Sequence, residues 1–344
     1  MSQRPNDTQQ PLFGMSAPEL EALAESLGEK SFRGRQIARW LYQKNAASIA
    51  EMSDLPAHFR TRLSETATLY RAQIITTDQA PDGTTKYLLQ MADRQRLEAV
   101  LLPYKDRVAV CVSTQIGCPA GCLFCATGKG GFVRNLSAGE IVDEVLTLQK
   151  TTPRKITHVV YMGMGEPLLN YDPVLKSLRL LNDEVGISMR RMSISTAGIT
   201  PAIRRLAAEK LQATLAISLH APNDGLRQQL MPMAGKYPLA DLLKACREYA
   251  DQTHRRITFE YLLLKGVNDS PELAQALVAL LKGLLCSVNL IPYNAVEELP
   301  FSRPTPARAK AFREILEKAG LAVTQRMERG ATVSGACGQL RRRS

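Results

Sequence analysis

"GCPAGCLFCATGKGG", residues 117–131, sets Cys118, Cys122 and Cys125 within eight positions of a 344-residue chain that has seven cysteines in all. The spacing Cys-x3-Cys-x2-Cys on a glycine-rich loop lets three thiolates converge on one inorganic centre. A cubane iron–sulfur cluster normally takes four cysteine ligands. Three leave one iron open to a substrate or cofactor, the arrangement of a catalytic rather than a closed structural metal site. Two other readings stand beside this one: a structural zinc with a remote fourth ligand, and unligated thiols.

On either side of the loop the chain alternates between strand-like and helical patterns. Apolar runs occur at "VAVCVST" (108–114), "THVVYMG" (157–163), "RMSIST" (191–196), "ATLAISL" (213–219), "ITFEYLLL" (257–264) and "CSVNLIP" (286–292). Helical patterns separate most of them, and one opens with the capping-box pair Ser137 and Glu140. Near-continuous apolar strands divided by helices imply a parallel sheet covered on both faces. Polar stretches follow these strands: the cysteine loop, "GMGEPLLN", "STAG", "SLHAPND" and "PYNAVEE". In a β/α barrel the C-terminal strand ends build the active site. The expected fold class is therefore α/β, with a partial or full (β/α)6 barrel over residues 104–331.

The N-terminal part, residues 1–66, reads as a small helical accessory domain. Ser16 and Glu19 form a capping-box pattern, Leu20, Leu23 and Leu27 recur at helical spacing, and Gly28 suits the stop. A second helix runs through Ile37, Trp40 and Leu41, and a third lies near "LPAHFRTRLSE". Residues 67–103, with "TKYLLQM" and "RLEAVLLP" around a turn-like "APDG", read as a connecting β extension. Residues 332–344 form a C-terminal tail that carries Cys337.

Composition bounds the partners. A hydrophobic content of 45% with 22% charged residues is that of a soluble globular protein. The opening "MSQRPNDTQQPLFG" has no apolar segment of the kind a signal peptide needs. "LAQALVALLKGLLC" (273–286) is broken by Lys282 and too short to span a bilayer. An odd number of irregularly spaced cysteines without an export signal points to a reducing cytoplasm. The net charge of +11 favours a polyanionic partner, although a merely basic enzyme has the same sign. "FRGRQIARWLYQK" (32–44) places Arg33, Arg35, Arg39 and Lys44 beside Trp40 and Tyr42, and the chain ends in "RRRS".

The cysteine loop resembles that of the radical S-adenosylmethionine (SAM) superfamily. The longer stretches "LEAVLLPYKDRVAVCVSTQIGCPAGCLFCATGKGGFVRNLSAGEI", "YMGMGEPLLNY", "ISLHAPND", "NLIPYN" and "ACGQL" resemble the RlmN/Cfr family of RNA adenine methyltransferases over nearly the whole chain. That resemblance implies a 4Fe-4S cluster on Cys118, Cys122 and Cys125, and two molecules of SAM per turnover. It implies that Cys337 is methylated, that a radical formed from SAM removes a hydrogen from this methyl group, and that the carbon then adds to adenine C2. Glu98 is then the proton acceptor, and Cys111 the second thiol, which leaves a Cys111–Cys337 disulfide to be reduced. Gly165, Glu166, Ser195, Ser218, Leu219, His220 and Asn294 map onto the family's SAM contacts.

The implied substrates are an adenine of 23S ribosomal RNA at the peptidyl-transferase centre and the adenine next to the anticodon in tRNA. The alternative within the family is methylation at C8 of the same ribosomal adenine. A reductant such as flavodoxin or ferredoxin, a monomeric state and no membrane partner complete the expectation. By pattern alone, Cys111 in its apolar strand also reads as a buried core thiol, and Glu98 as an ordinary strand carboxylate. Cys246 and Cys286 match no motif and read as core. Before "ACGQL" stand Thr332 and Val333, where family members often carry an acidic residue followed by Ile.

Overall fold

The structure is a computed structural model that describes residues 9–326 and 329–341. Three helices open it: α1 (Ala17–Ser26), α2 (Phe32–Ala38) and α3 (Ala57–Thr66). Glu19 reaches back to the Ser16 amide at 2.7 Å and starts α1. Helices α1 and α2 touch where Gly34 has no side chain: a Cβ there would lie 2.2 Å from the Glu21 nitrogen. Helix α2 runs on into a π-turn at Arg39–Gln43 that turns Leu41 and Tyr42 inward. Tyr42 Oη then donates to the Met15 carbonyl at 2.6 Å.

One ten-stranded sheet forms the body, its strands lying in strict chain order. They are β1 (Gln73–Gln79), β2 (Thr85–Gln90), β3 (Arg96–Pro103), β4 (Val108–Cys111), β5 (His158–Tyr161), β6 (Met192–Thr196), β7 (Thr214–Ser218), β8 (Ile257–Leu263), β9 (Cys286–Pro292) and β10 (Ala322–Gln325). Strands β1 to β4 pair antiparallel, and β4 to β10 pair parallel. The major crossovers between parallel strands are α4 (Ala138–Gln149), α5 (Tyr171–Asp183), α6 (Thr200–Ala208), α7 (Leu239–Thr253), α8 (Pro271–Leu281) and α9 (Pro306–Lys318). Every residue of β4 is buried, as a strand covered on both faces requires. Strand β1 is almost wholly exposed and carries a bulge at Ile74/Thr76, both marks of a sheet edge.

The six apolar runs read from the sequence are β4 to β9. Two expectations need adjustment. The extension is not a separate connecting sheet, because β1–β3 continue the main sheet through the β3–β4 pairing, and "APDG" is the β1–β2 turn. A seventh parallel strand, β10, extends the sheet beyond the six apolar runs; "AVTQ" is short and three of its four residues are exposed, so it carries no buried-strand pattern. The accessory helices share one hydrophobic core with the sheet. A part-buried Arg71–Asp143 ion pair at 2.5 Å ties the segment after α3 to α4.

Candidate active site

The site lies across the C-terminal ends of the parallel strands, where a barrel collects its functional groups. After β4 a short hairpin, Gln115–Gly117 with Phe132–Asn135, holds the cysteine loop between its arms. Cys118, Cys122 and Cys125 line one cavity with about 930 Å³ of space, open on one side to solvent. Gly165 and Glu166 after β5, Ser195 of β6, Ser218 of β7 and His220 just beyond it share this wall. Cys337 comes in from the tail and lines it too.

Glu166 is fixed by backbone donors. Its Oε2 accepts from the Ala197 amide at 2.6 Å and its Oε1 from the Leu168 amide at 3.0 Å. Burial raises its pKa, and the donors from Ala197, Thr196 and Leu168 oppose that rise. Gly165 is a required glycine: its φ is +105°, and a Cβ would sit 2.7 Å from Thr114 Oγ1. His220 Nδ1 accepts the Leu262 amide proton at 3.0 Å, so the ring proton resides on Nε2. Burial, with Arg227 adding to it, pushes the imidazole down to about 3.

A second, smaller cavity adjoins the first and is lined by Cys111, Met162, Asn294, Arg326, Cys337 and Leu340 among others. Cys337 and Arg326 border both cavities. Burial pushes the Cys111 thiol up to about 12. Burial also raises Cys337, while the Arg326 guanidinium counteracts it. Arg326 in turn is held firmly protonated, chiefly by the Cys337 sulfur. The tail is stitched in place: the Ala126 amide donates to the Gly338 carbonyl at 2.8 Å and Gln339 Nε2 to the Ala295 carbonyl at 2.8 Å.

The remaining candidates sit elsewhere. Glu98 lines neither cavity; it lies buried beneath the tail, where Oε2 accepts from the Arg341 amide at 2.8 Å. Leu219 points into the core, and Asn294 holds the tail, its Nδ2 donating to the Cys337 carbonyl at 3.3 Å. Thr332 and Val333 lie in a short turn between Gly330 and Ser334, both with positive φ. Residues 342–344 of "RRRS" and Glu328 before the tail lie outside the described residues. The disulfide expected between Cys111 and Cys337 is not present: all seven cysteines are free thiols, so the two sulfurs share a cavity without a bond.

Two charged residues of the larger cavity, Arg326 and Glu260, are not among the sequence candidates. Arg326 follows β10, a strand that gave no signal of its own. Glu260 did give one, a lone carboxylate in the otherwise apolar "ITFEYLLL"; it is buried and accepts from Asn289 Nδ2 at 2.7 Å.

The donor set fits an iron–sulfur cluster, since soft thiolates select such centres. Among the described residues, no three His, Cys, Asp or Glu side chains converge on a point that would hold a single metal ion. A cluster distributes its thiolates over separate irons. The cavity offers Glu166 and neutral His220 beside those thiols for a polar cofactor.

Comparison with known proteins agrees with this geometry. Residues 112–277 match the radical SAM superfamily, and residues 10–69 match the ribosomal RNA large subunit methyltransferase N-terminal domain. The probable dual-specificity RNA methyltransferase RlmN of Gloeobacter violaceus is 48% identical over 334 residues, covering 97% of this chain and 96% of the relative. The protein of the same name from Symbiobacterium thermophilum is 51% identical over 342 residues, covering 97% and 92%. The chain belongs to the RlmN family. A crystal structure of a radical SAM methyltransferase from Sphaerobacter thermophilus superposes with a TM-score of 0.92 at 44% identity, over 96% of this chain and 99% of that one. The RlmN-family assignment thus covers the accessory helices, the sheet and the tail together. No helix among the described residues is long and apolar enough to cross a membrane.

Proposed function

We infer that this enzyme is a radical SAM RNA methyltransferase that methylates C2 of adenine in 23S ribosomal RNA and in tRNA, with Cys337 as the carbon carrier. The observation that supports this most is the position of Cys337, on the border between the cavity of the three loop cysteines and the cavity of Cys111. In this reading residues 1–66 bind RNA, 67–103 supply Glu98, 104–331 form the radical SAM core and 332–344 the carrier tail. Flavodoxin or ferredoxin serves as reductant, and the chain acts as a monomer.

Cys118, Cys122 and Cys125 hold the cluster. Burial pushes Cys118 up to about 12 and Cys122 well above the ordinary thiol range, so these thiols would be ionised by the iron they hold. Glu166 presents a carboxylate to the SAM ammonium, with Gly165, Ser195, Ser218 and His220 completing the pocket, while Leu219 supports it from the core and Asn294 holds the tail beside it. Bound there, the cluster and SAM supply a methyl group and a carbon-centred radical, which an unactivated aromatic C–H requires. The protein does the rest with polar groups. Cys337 Sγ carries the carbon to the base. Glu98 takes the C2 proton on a carboxylate oxygen, a general-base role. Cys111 is the thiol that frees the product from Cys337.

The test is an asymmetry between two variants. Cys111→Ala should take the methyl group on Cys337, attack RNA and stall as a covalent protein–RNA adduct on a denaturing gel. Cys337→Ala should form none. Normal turnover by Cys111→Ala, or absence of adduct from both, overturns the two-thiol reading; mass spectrometry of the adenine separates C2 from C8.

A further inference from the structure

Glu98 is 1% exposed and its ion-pair partner Lys86 is 3% exposed, with Oε1 and Nζ 3.3 Å apart. Two charges withdrawn this far from water are costly to keep and demand a reason. The sheet register shows how they meet. Asp78 stands opposite Lys86, Lys86 opposite Val100, and Val100 opposite Cys111. Residues directly opposite share a face, and Glu98 is two residues from Val100, so it shares that face as well. Asp78, Lys86, Glu98 and Cys111 therefore occupy one face of strands β1 to β4.

The contacts continue past Lys86. Its Nζ is 3.7 Å from Asp78 Oδ2, and the Asp78 side chain is 44% exposed on the edge strand. A line of polar groups runs from a buried carboxylate through a buried ammonium to a carboxylate in water. On its other side Glu98 Oε2 meets the Arg341 backbone amide, a donor with no place to accept a proton.

We propose that Lys86 is a positioning residue for Glu98, and that Lys86 and Asp78 return to solvent the proton that Glu98 takes from the base. This rests on the reading of Glu98 as the proton acceptor. The transfer balances without any co-reactant. An N–H bond of Lys86 breaks as Asp78 Oδ2 gains that proton. Lys86 Nζ then gains the proton from the Glu98 carboxyl. Glu98 ends as carboxylate and Lys86 as ammonium, and Asp78 releases its proton to water. No electrons move. The 3.7 Å gap is closed by a rotamer change of the exposed Asp78 side chain.

The experiment compares full-length, cluster-loaded Asp78→Asn, Lys86→Met, Lys86→Arg and Glu98→Gln. Methyl-Cys337 content is read by mass spectrometry, RNA turnover by kinetics and folding by urea denaturation. With the proposal correct, Asp78→Asn unfolds at the parent midpoint and carries methyl-Cys337, yet loses about tenfold in kcat with KM unchanged. Lys86→Met falls about a hundredfold, and Lys86→Arg, which keeps the positioning charge but cannot give up a proton, recovers only to the roughly tenfold loss of Asp78→Asn. Parent kcat in Asp78→Asn overturns the relay, and parent kcat in Lys86→Met overturns the positioning role. If Lys86→Met does not fold, Lys86→Arg and Asp78→Asn still decide. Inactive Glu98→Gln beside fully active Lys86 and Asp78 variants leaves the base assignment standing without the proposal; active Glu98→Gln removes both.

Discussion

The Arg341 amide donates to Glu98 Oε2 at 2.8 Å, so the last described residue of the chain closes over a buried carboxylate of strand β3. The same tail segment has Leu340 buried and its carbonyl accepting from Thr127 Oγ1 at 2.5 Å. These interactions dock the carrier segment "ACGQL" onto the cysteine loop and onto Glu98 at once.

Ending the chain after Gln339 should therefore undock Cys337 while keeping it. The hydrogen bonds of the Leu340 carbonyl and the Arg341 amide, at about 1 kcal/mol each, and one buried Leu at about 2 kcal/mol are removed, and the exposed Arg341–Glu298 pair lost with them adds little. That sum, about 4 kcal/mol, shifts the docked fraction by more than a hundredfold on the scale of ~1.4 kcal/mol per decade. Iron content should stay at the parent level and RNA turnover should collapse. Parent turnover by the truncated chain would show that these interactions do not hold the carrier.

Glu166→Gln should be worse than the loss of one charge. Both carboxylate oxygens accept from backbone amides, at 2.6 Å and 3.0 Å. A glutamine offers one oxygen and turns its NH2 against an N–H donor, at a cost of about 1–3 kcal/mol. SAM affinity by equilibrium dialysis should fall at least about tenfold as the charge-assisted partner of the ammonium disappears. Undiminished SAM binding would remove Glu166 from the cofactor site.

His220 predicts an acid limb in stability. Its folded pKa is pushed down to about 3, from 6.5 in the unfolded chain. The unfolded chain therefore binds more protons between these values. The stabilisation is fully present above pH 6.5 and is lost as pH falls toward 3. By pH 4.5 the loss from this group is on the order of 2–3 kcal/mol. His220→Asn keeps an acceptor for the Leu262 amide and suits the left-handed φ of 58°, but cannot titrate. Urea midpoints of the cluster-free protein should fall less steeply below pH 6.5 in this variant. Parallel curves would mean that the imidazole is not held neutral.

What the sequence made legible was local. The cysteine loop, Gly165 with Glu166, and the six apolar strands are each written within a dozen residues. Lys86 and Arg326 were not legible, because their roles come from pairings between distant segments. Lys86 gains its meaning from the register of β1, β2 and β3, which no single strand encodes. Arg326 depends on where β10 ends against the tail. Glu260 shows the middle case: a charge inside a buried strand marks a site without saying which one.

The accessory helices give the last prediction, and the structure sharpens it. Of the basic residues in "FRGRQIARWLYQK", Arg33 is half-buried, and its Nη1 donates to Gln36 Oε1 at 2.7 Å and to the Asp54 carbonyl at 3.3 Å. Lys44 lies 3.4 Å over the Trp40 ring, whose Nε1 donates to Asp54 at 2.5 Å. These two help to hold the helices together, so reversing Arg33 would confuse folding with binding. Arg35 is 62% exposed with a single carboxylate partner, Glu21, and Arg39 is exposed with no side-chain partner among the described residues. Exposed guanidinium groups along one helical run are free to meet phosphates. Arg35→Glu with Arg39→Glu should weaken RNA binding by roughly tenfold or more at low salt. The slope of log K against log salt should drop by about one for each phosphate that the helix no longer engages. SAM cleavage without RNA should remain at the parent rate, because neither arginine lines the cavity of the loop cysteines. An unchanged salt slope would take this helix off the RNA-binding surface and leave the basic charge elsewhere on the chain to account for it.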